Sequence, residues 1–277
     1  MPSPKPPAPS PSAKVRSGTL LALKRAGQPI TCVTAYDYPS ALAVEAAGVD
    51  VCLVGDSLGQ VVLGYDSTVP VTMDEMAHHA KAVKRGLKRA LMVVDLPFLS
   101  YQLGPLQALE NAGRLMKEAG AEAVKLEGGA EMAPTVALLR QAGVAVMGHL
   151  GLTPQSVHAM GGYRIQARGK AEAAKLLKDA RALQAAGAFA VVLEGIPQAL
   201  AKKVSQALAI PTIGIGAGPA CDGQVQVWHD LHGAMPGRGP KHARAFSGQF
   251  QAQVMALQAY AGQVRGRRFP GPAETPA

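Results

Sequence analysis

Six residues of this 277-residue chain stand where chemistry can be done: Asp56, Asp95, Lys125, Glu127, His149 and Glu194. Each lies at the end of a short apolar run or just beyond it. Asp56, Asp95 and Glu127 offer hard oxygen donors with no thiol and no His cluster beside them, a set that suits Mg2+ better than Zn2+. Brought together, three acids repel one another and hold protons more tightly unless a cation sits between them. Lys125 and Glu127 are two apart, so on a strand they share one face, while Val124 and Leu126 take the other. Singly, a strand-end Asp is as readily a turn cap, and Lys125 with Glu127 is as readily a buried ion pair. Converging after apolar strands, the six make a site. His78 and His79 lie in a helical stretch away from these ends and read as surface or packing residues.

The elements that must position these residues are legible from a repeat. AGAEAVKLEG (119–128) and AGAFAVVLEG (186–195) are near copies, with looser echoes in AGVDVCLVGD (47–56) and AGVAVMGH (142–149). In each, a helix stops at a glycine suited to a left-handed C-cap. An apolar run without polar alternation follows, as in a strand buried on both faces, and a polar residue ends it. Eight such strands are expected, at 30–36, 51–54, 90–95, 121–126, 144–149, 188–194, 211–215 and 225–229. The helix expected over 105–119 opens on Pro105, stops at Gly120 and would bury Leu106, Leu109, Gly113 and Met116. Thr72 with Glu75 reads as a capping box for a helix running to Arg85. The segment 172–186 presents Leu176, Ala180 and Leu183 on one side.

Alternating strands and helices define an α/β chain, and eight parallel strands close into a single (β/α)8 TIM barrel. Its site lies at the carboxyl ends of the strands, where the six residues converge. An open doubly wound sheet is the second choice, weakened because no GxGxxG follows the first strand. GIGAG (214–218) lacks both the Lys-Ser/Thr of a P-loop and the dinucleotide spacing, and reads as a tight turn.

Composition narrows the function classes. With 48% hydrophobic residues, 4% aromatic and 17% charged, the chain has core enough for one large domain built from Ala, Val, Leu and Ile. The net charge of +9 resides mostly in the tails, through Lys5, Lys14 and Arg16 at one end and Arg265, Arg267 and Arg268 at the other. With one Trp and no basic-aromatic stripe, nucleic-acid binding is not expected. Cys32, Cys52 and Cys221 form neither a disulfide framework nor a metal clip, and no run suits a signal peptide or a membrane span. A cytoplasmic protein is expected, with a disordered Pro/Ser-rich head over 1–16, a catalytic barrel over 17–262 and a flexible basic tail over 263–277.

Ordered strings then carry a resemblance. TAYDYPSA (34–41), VGDSLG (54–59), DSTVPVT (66–72), DLPF (95–98), VKLEGG (124–129), GHLGLTPQS (148–156), GGYRIQARG (161–169) and GIGAG with DGQ (222–224) resemble the ketopantoate hydroxymethyltransferase family over about 17–260. The resemblance implies a barrel of the phosphoenolpyruvate/pyruvate superfamily type, assembled as a decamer of two pentameric rings. It implies hydroxymethyl transfer from 5,10-methylenetetrahydrofolate to 3-methyl-2-oxobutanoate, giving 2-dehydropantoate for pantothenate biosynthesis. Asp56, Asp95 and Glu127 fall on its magnesium positions. Asp56, Ser57, Asp95 and Lys125 fall where the family contacts the oxo acid, and Glu194 falls on its acid/base. Trp228 departs from the pattern, as do the Pro-rich head and the RGRRFPGP tail.

On this reading Glu194 removes a proton from the branched carbon, and Mg2+ stabilises the charge that develops on the oxo acid. His149 is either a donor to the new hydroxymethyl oxygen or a structural histidine. Three rivals stand beside it. A Schiff-base aldolase would use Lys125 as a nucleophile, a metal-dependent C–C lyase would act on a related 2-oxo acid, and a non-catalytic scaffold would use the barrel for assembly or RNA binding.

Overall fold

Apolar runs of four to six residues, each entered from a helix through a tight turn, can bury both faces only inside a ring of helices. The computed structural model describes residues 13–237 and 239–275. It builds that ring from α1 (Ser17–Ala26), β1 (Ile30–Thr34), α2 (Tyr38–Ala46), β2 (Val51–Val54) and α3 (Leu58–Val61). The chain continues through α4 (Met73–Gly86), β3 (Leu91–Asp95), α5 (Pro105–Ala119), β4 (Ala123–Glu127) and α6 (Ala133–Gln141). It ends with β5 (Val146–Gly151), α7 (Lys170–Ala186), β6 (Ala190–Glu194), α8 (Gln198–Ala207), β7 (Thr212–Ile215) and β8 (Gly223–Gln226). Every strand pairs in parallel with its neighbour, and β8 returns to β1, so the expected closed barrel is what forms.

Inward side chains follow the two-residue period. Ile30, Cys32, Val51, Leu53, Leu91, Val93, Ala123, Met147, Ala190, Val192, Ile213 and Val225 make one buried cluster within the barrel. Val15, Leu20 and Leu23 join it, so the segment before β1 seals the end at which the strands begin. Polar ties strengthen that seal. Lys14 Nζ donates to Ala90 O at 2.8 Å and pairs with Glu122 at 2.7 Å, and Lys24 pairs with Asp222 at 2.9 Å. Continuing the same period toward the strand ends leads from Val93 to Asp95, from Ala123 to Lys125 and Glu127, from Met147 to His149, and from Val192 to Glu194. Hydrophobic core and polar mouth are successive layers of one pattern.

Local sequence sets the helix ends. At α4, Thr72 Oγ1 accepts from Glu75 N at 3.2 Å while Glu75 accepts from Thr72 N at 2.7 Å, which is the capping box expected there. Helix α5 has the expected bounds but not the expected face. It buries Ala108, Ala112, Leu115 and Ala119 and leaves Leu106 76% exposed, because small side chains let α5 approach α4 and α6 closely. Helix α7 buries Leu176, Ala180 and Leu183 as read from the sequence.

The last strand also differs from expectation. It occupies 223–226 rather than 225–229, and Trp228 begins a helix. The chain divides here into two compact units, the barrel through Gln226 and a smaller unit from Val227 onward. The smaller unit carries α9 (Trp228–His232) and α10 (Gln249–Arg265), the second with no buried residue. Of the head expected to be disordered, 1–12 lie outside the described residues, while Lys14 and Val15 are held as above. Within the expected tail, residues 263–265 finish α10, and Phe269 stacks edge-on to Tyr260 at 5.4 Å.

Candidate active site

All six strand-end residues meet at one mouth of the barrel. Asp56 stands two residues beyond β2, in the turn that leads into α3, and Asp95 closes β3. The backbone N–H of Asp56 donates to Asp95 Oδ2 at 3.0 Å, tying the two loops. Register places Asp95 beside Lys125 and Glu127 beside His149, and it brings Gly151 beside Glu194. A continuous line of alternating charge results. Lys125 Nζ lies 3.0 Å from Asp95 Oδ1, His149 Nδ1 lies 3.2 Å from Glu127 Oε1, and His149 Nε2 lies 3.1 Å from Glu194 Oε2. Ser57 is half-buried beside this line, its hydroxyl 2.9 Å from Tyr36 OH.

Burial governs the electrostatics. Asp56 is pushed well above the ordinary carboxylate range, first by burial and then by Asp95 and Glu127, with Lys125 and a Gln155 hydrogen bond opposing. Asp95 is also raised by burial, against the pull of Lys125. Burial pushes the Lys125 ammonium down, but Asp95, Glu127 and Asp56 outweigh it, and the net shift is upward. A lysine held protonated in this way is a poor nucleophile, which counts against the Schiff-base rival. For His149, burial and Lys125 favour the neutral ring, yet the bonds to Glu127 and Glu194 raise its pKa to about 9. Lys125 Nζ also lies 3.4 Å from His149 Nδ1, so the lysine and the ring share the carboxylates on either side.

These charges fit a divalent cation. Asp56, Asp95, Glu127 and Glu194 crowd four carboxyl groups around Lys125 and His149, and a cation among them would relieve the repulsion that helps raise Asp56. Asp95 Oδ1 and Glu127 Oε1 are buried without an aligned hydrogen-bond donor, although a cationic side chain lies within ion-pair distance of each. Among the described residues, no three His, Cys, Asp or Glu side chains sit close enough to grip an ion together. A divalent ion here would touch one or two carboxylates directly and reach the others through its waters, as Mg2+ commonly does.

Three further residues complete the site and were not singled out from the sequence. Gln155 donates from Nε2 to Asp56 Oδ2 at 2.8 Å, and its backbone N–H donates to Glu127 Oε2 at 3.1 Å. Tyr101 OH donates to Gln155 Oε1 at 2.6 Å. Tyr36 supports Ser57, and its own carbonyl lies 2.6 Å from His79 Nδ1, which gives that histidine its packing role. Tyr36 and Gln155 fall inside TAYDYPSA and GHLGLTPQS, so the strings held a signal for both. Tyr101 lies three residues beyond DLPF and carried none.

No helix among the described residues is long and apolar enough to cross a membrane. Solved structures with the same fold include a putative phosphonomutase from Burkholderia cenocepacia J2315, at TM-score 0.60 and 19% identity, covering 90% of this chain and 98% of that one. Another is a phosphonopyruvate hydrolase complex with oxalate and Mg++, at TM-score 0.62 and 14% identity, covering 95% and 92%. At such identities the likeness concerns the fold alone. Curated relatives are much nearer. The 3-methyl-2-oxobutanoate hydroxymethyltransferase of Carboxydothermus hydrogenoformans is 56% identical over 257 residues, 93% of each chain. The protein of the same name from Moorella thermoacetica is 56% identical over 258 residues, 93% of this chain and 96% of that one. The ketopantoate hydroxymethyltransferase family model matches residues 14–272, which span the barrel and every residue of the mouth, and the chain belongs to that family.

Proposed function

We propose that this chain transfers a hydroxymethyl group from 5,10-methylenetetrahydrofolate to 3-methyl-2-oxobutanoate, giving 2-dehydropantoate and tetrahydrofolate on the route to pantothenate. The observation that carries this reading is the buried charge line from Asp95 through Lys125, Glu127 and His149 to Glu194, in a chain of this family. Lys125 and the backbone amide of Ser57 orient the substrate carboxylate. Glu194 takes the proton from the branched carbon. Its side chain is 15% exposed, while those of Asp95, Lys125, Glu127 and His149 are 3–5% exposed, so it is the most open of the set to an incoming carbon. His149 Nε2 lies 3.1 Å from Glu194 Oε2, and its N–H would pass from Glu194 to the new hydroxymethyl oxygen as that oxygen forms. Asp56, Asp95 and Glu127 would hold Mg2+, one or two of them directly and the rest through its waters, and the ion when bound would supply Lewis-acid stabilisation of negative charge on the oxo-acid oxygens. We place the reaction in the cytoplasm and assign the chain to a homodecamer of two pentameric rings, as the family resemblance implies.

The test is 2-dehydropantoate formation from the two substrates with Mg2+, then with EDTA. Product that vanishes with EDTA and returns with Mg2+ supports both the reaction and the metal. A folded, metal-loaded protein that makes no product overturns the reading and favours C–C lysis of a related oxo acid. Borohydride should leave no adduct at Lys125.

A further inference from the structure

We infer that Gln155 and Tyr101 are a positioning pair that braces the proposed metal-holding carboxylates, fixing which oxygen of each is left for the ion or its waters. The inference rests on the Mg2+ reading above and deepens it. Gln155 sits in the single helical turn Pro154–Ser156 that follows β5 and is buried. Besides Asp56 Oδ2 and Glu127 Oε2, it reaches Leu96 O through Nε2 at 2.9 Å. Leu96 directly follows Asp95, so one residue touches the chain at all three carboxylate positions.

The orientation of this amide is fixed. Gln155 Oε1 accepts from Tyr101 OH at 2.6 Å and from Gln102 Nε2 at 3.3 Å, while Nε2 faces two acceptors. Turning the amide over would set its oxygen against both Asp56 Oδ2 and Leu96 O. Tyr101 has a single proton to give, and it goes to Gln155. Its oxygen then accepts from Glu127 N at 3.0 Å, so the same phenol anchors the backbone that carries Glu127.

The effect on the carboxylates is consistent. Glu127 has Oε2 braced by Gln155 N and Oε1 without an aligned donor. Asp95 has Oδ2 braced by Asp56 N and Oδ1 without an aligned donor. Asp56 has Oδ2 braced by Gln155 Nε2. With one oxygen pinned, the other keeps a set direction, toward Lys125 at 3.0 Å for Asp95 and toward His149 at 3.2 Å for Glu127, so an ion bound there competes with those side chains for it. Outer partners of this kind commonly govern metal affinity by about 10–100-fold.

Mn2+ binding, followed by the loss of the free-ion EPR signal without substrates, tests the pair. Gln155→Met should weaken Mn2+ binding about 10–100-fold. Tyr101→Phe, which removes one oxygen atom, should weaken it about 3–10-fold by releasing the amide. The double variant should weaken binding by less than the product of the two single effects, because the two act largely through one shared amide. A pair that merely supports the fold would lower the unfolding midpoint and leave Mn2+ affinity unchanged, and that result overturns the inference. Should Gln155→Met fail to fold, Tyr101→Phe decides by the same criterion. A wild-type protein that binds no Mn2+ removes the metal reading and the inference together. A wild type that binds, with both variants equal to it, removes the inference alone.

Discussion

Gly151→Ala should damage catalysis and stability through one contact. Gly151 ends β5 at φ +98°, a conformation alanine adopts only under strain, and it lies beside Glu194 in the register. A Cβ there would overlap Glu194 O and come within 2.7 Å of Ile196 Cγ2. The carbonyl must retreat by about 1 Å to relieve the overlap. It cannot do so and keep accepting from Leu152 N at 2.8 Å. The positive φ costs about 1–2 kcal/mol and the lost hydrogen bond about 1 kcal/mol, so unfolding should become easier by about 2–3 kcal/mol. Because the displaced residue is the proposed base, proton removal should slow about 100-fold, the usual penalty for misplacing a reacting group by about 1 Å. Deuterium washout from the branched carbon of 3-methyl-2-oxobutanoate measures the second effect, and urea unfolding measures the first. Gly187→Ala is the control. Gly187 also has positive φ, at +105°, but its new Cβ would strike the side chain of Arg140, which is exposed and free to swing away. That variant should lose about 1–2 kcal/mol and exchange protons at the wild-type rate. Wild-type washout in Gly151→Ala would refute the link between this contact and the base. Equal loss in both variants would trace the defect to general destabilisation.

Glu194→Gln should keep oxo-acid binding and lose proton exchange by about 100- to 10,000-fold, measured by the same washout. Unchanged washout would remove Glu194 as the base. Asp95→Ala should weaken both Mg2+ and oxo-acid binding in calorimetric titration, and an unchanged metal affinity would exclude Asp95 from the ion. Glu45 predicts a pH effect. It accepts backbone N–H bonds from Lys88 at 3.0 Å, Arg89 at 2.6 Å and Ala90 at 3.2 Å. Burial alone would raise its pKa, but the three amides lower it below the ordinary 4.5. A carboxylate depressed on folding stabilises the protein above its unfolded pKa, and that contribution is lost as pH falls through the folded value. Glu45→Gln should therefore cost about 1 kcal/mol at pH 7, a low figure because the group is partly solvated. The difference from wild type should shrink below pH 4.5, as read from urea midpoints across pH.

The barrel was legible because its grammar is local. A glycine stop, an apolar run and a polar end can be read within ten residues, and the two-residue period then assigns Asp95, Lys125, Glu127, His149 and Glu194 to the interior. Where the structure departs from the sequence reading, packing overrode pattern. Leu106 and Leu109 suggested the buried stripe of α5, but alanines make the closer approach and Leu106 is left in solvent. The last strand was expected over 225–229, yet pairing with β1 begins at Ile30 opposite Gly223 and ends at Gln226. The pairing of Tyr101 with Gln155 was beyond reach for another reason, although Gln155 itself lies inside GHLGLTPQS. They lie in loops after β3 and β5, 54 residues apart, and their roles exist only once closure of the barrel brings them together.

The sealed base described above has a kinetic consequence. Val15, Leu20 and Leu23 stopper one end, so the barrel is a blind well with a single entrance. On the proposed reaction the oxo acid docks on Lys125, deep in the well, and the folate must deliver its one-carbon unit from above, so the upper guest bars the lower one. Such a well would impose a queue, with the oxo acid entering first, the folate second, and the departures in reverse. Initial-rate and product-inhibition patterns would accordingly be those of a compulsory-order mechanism.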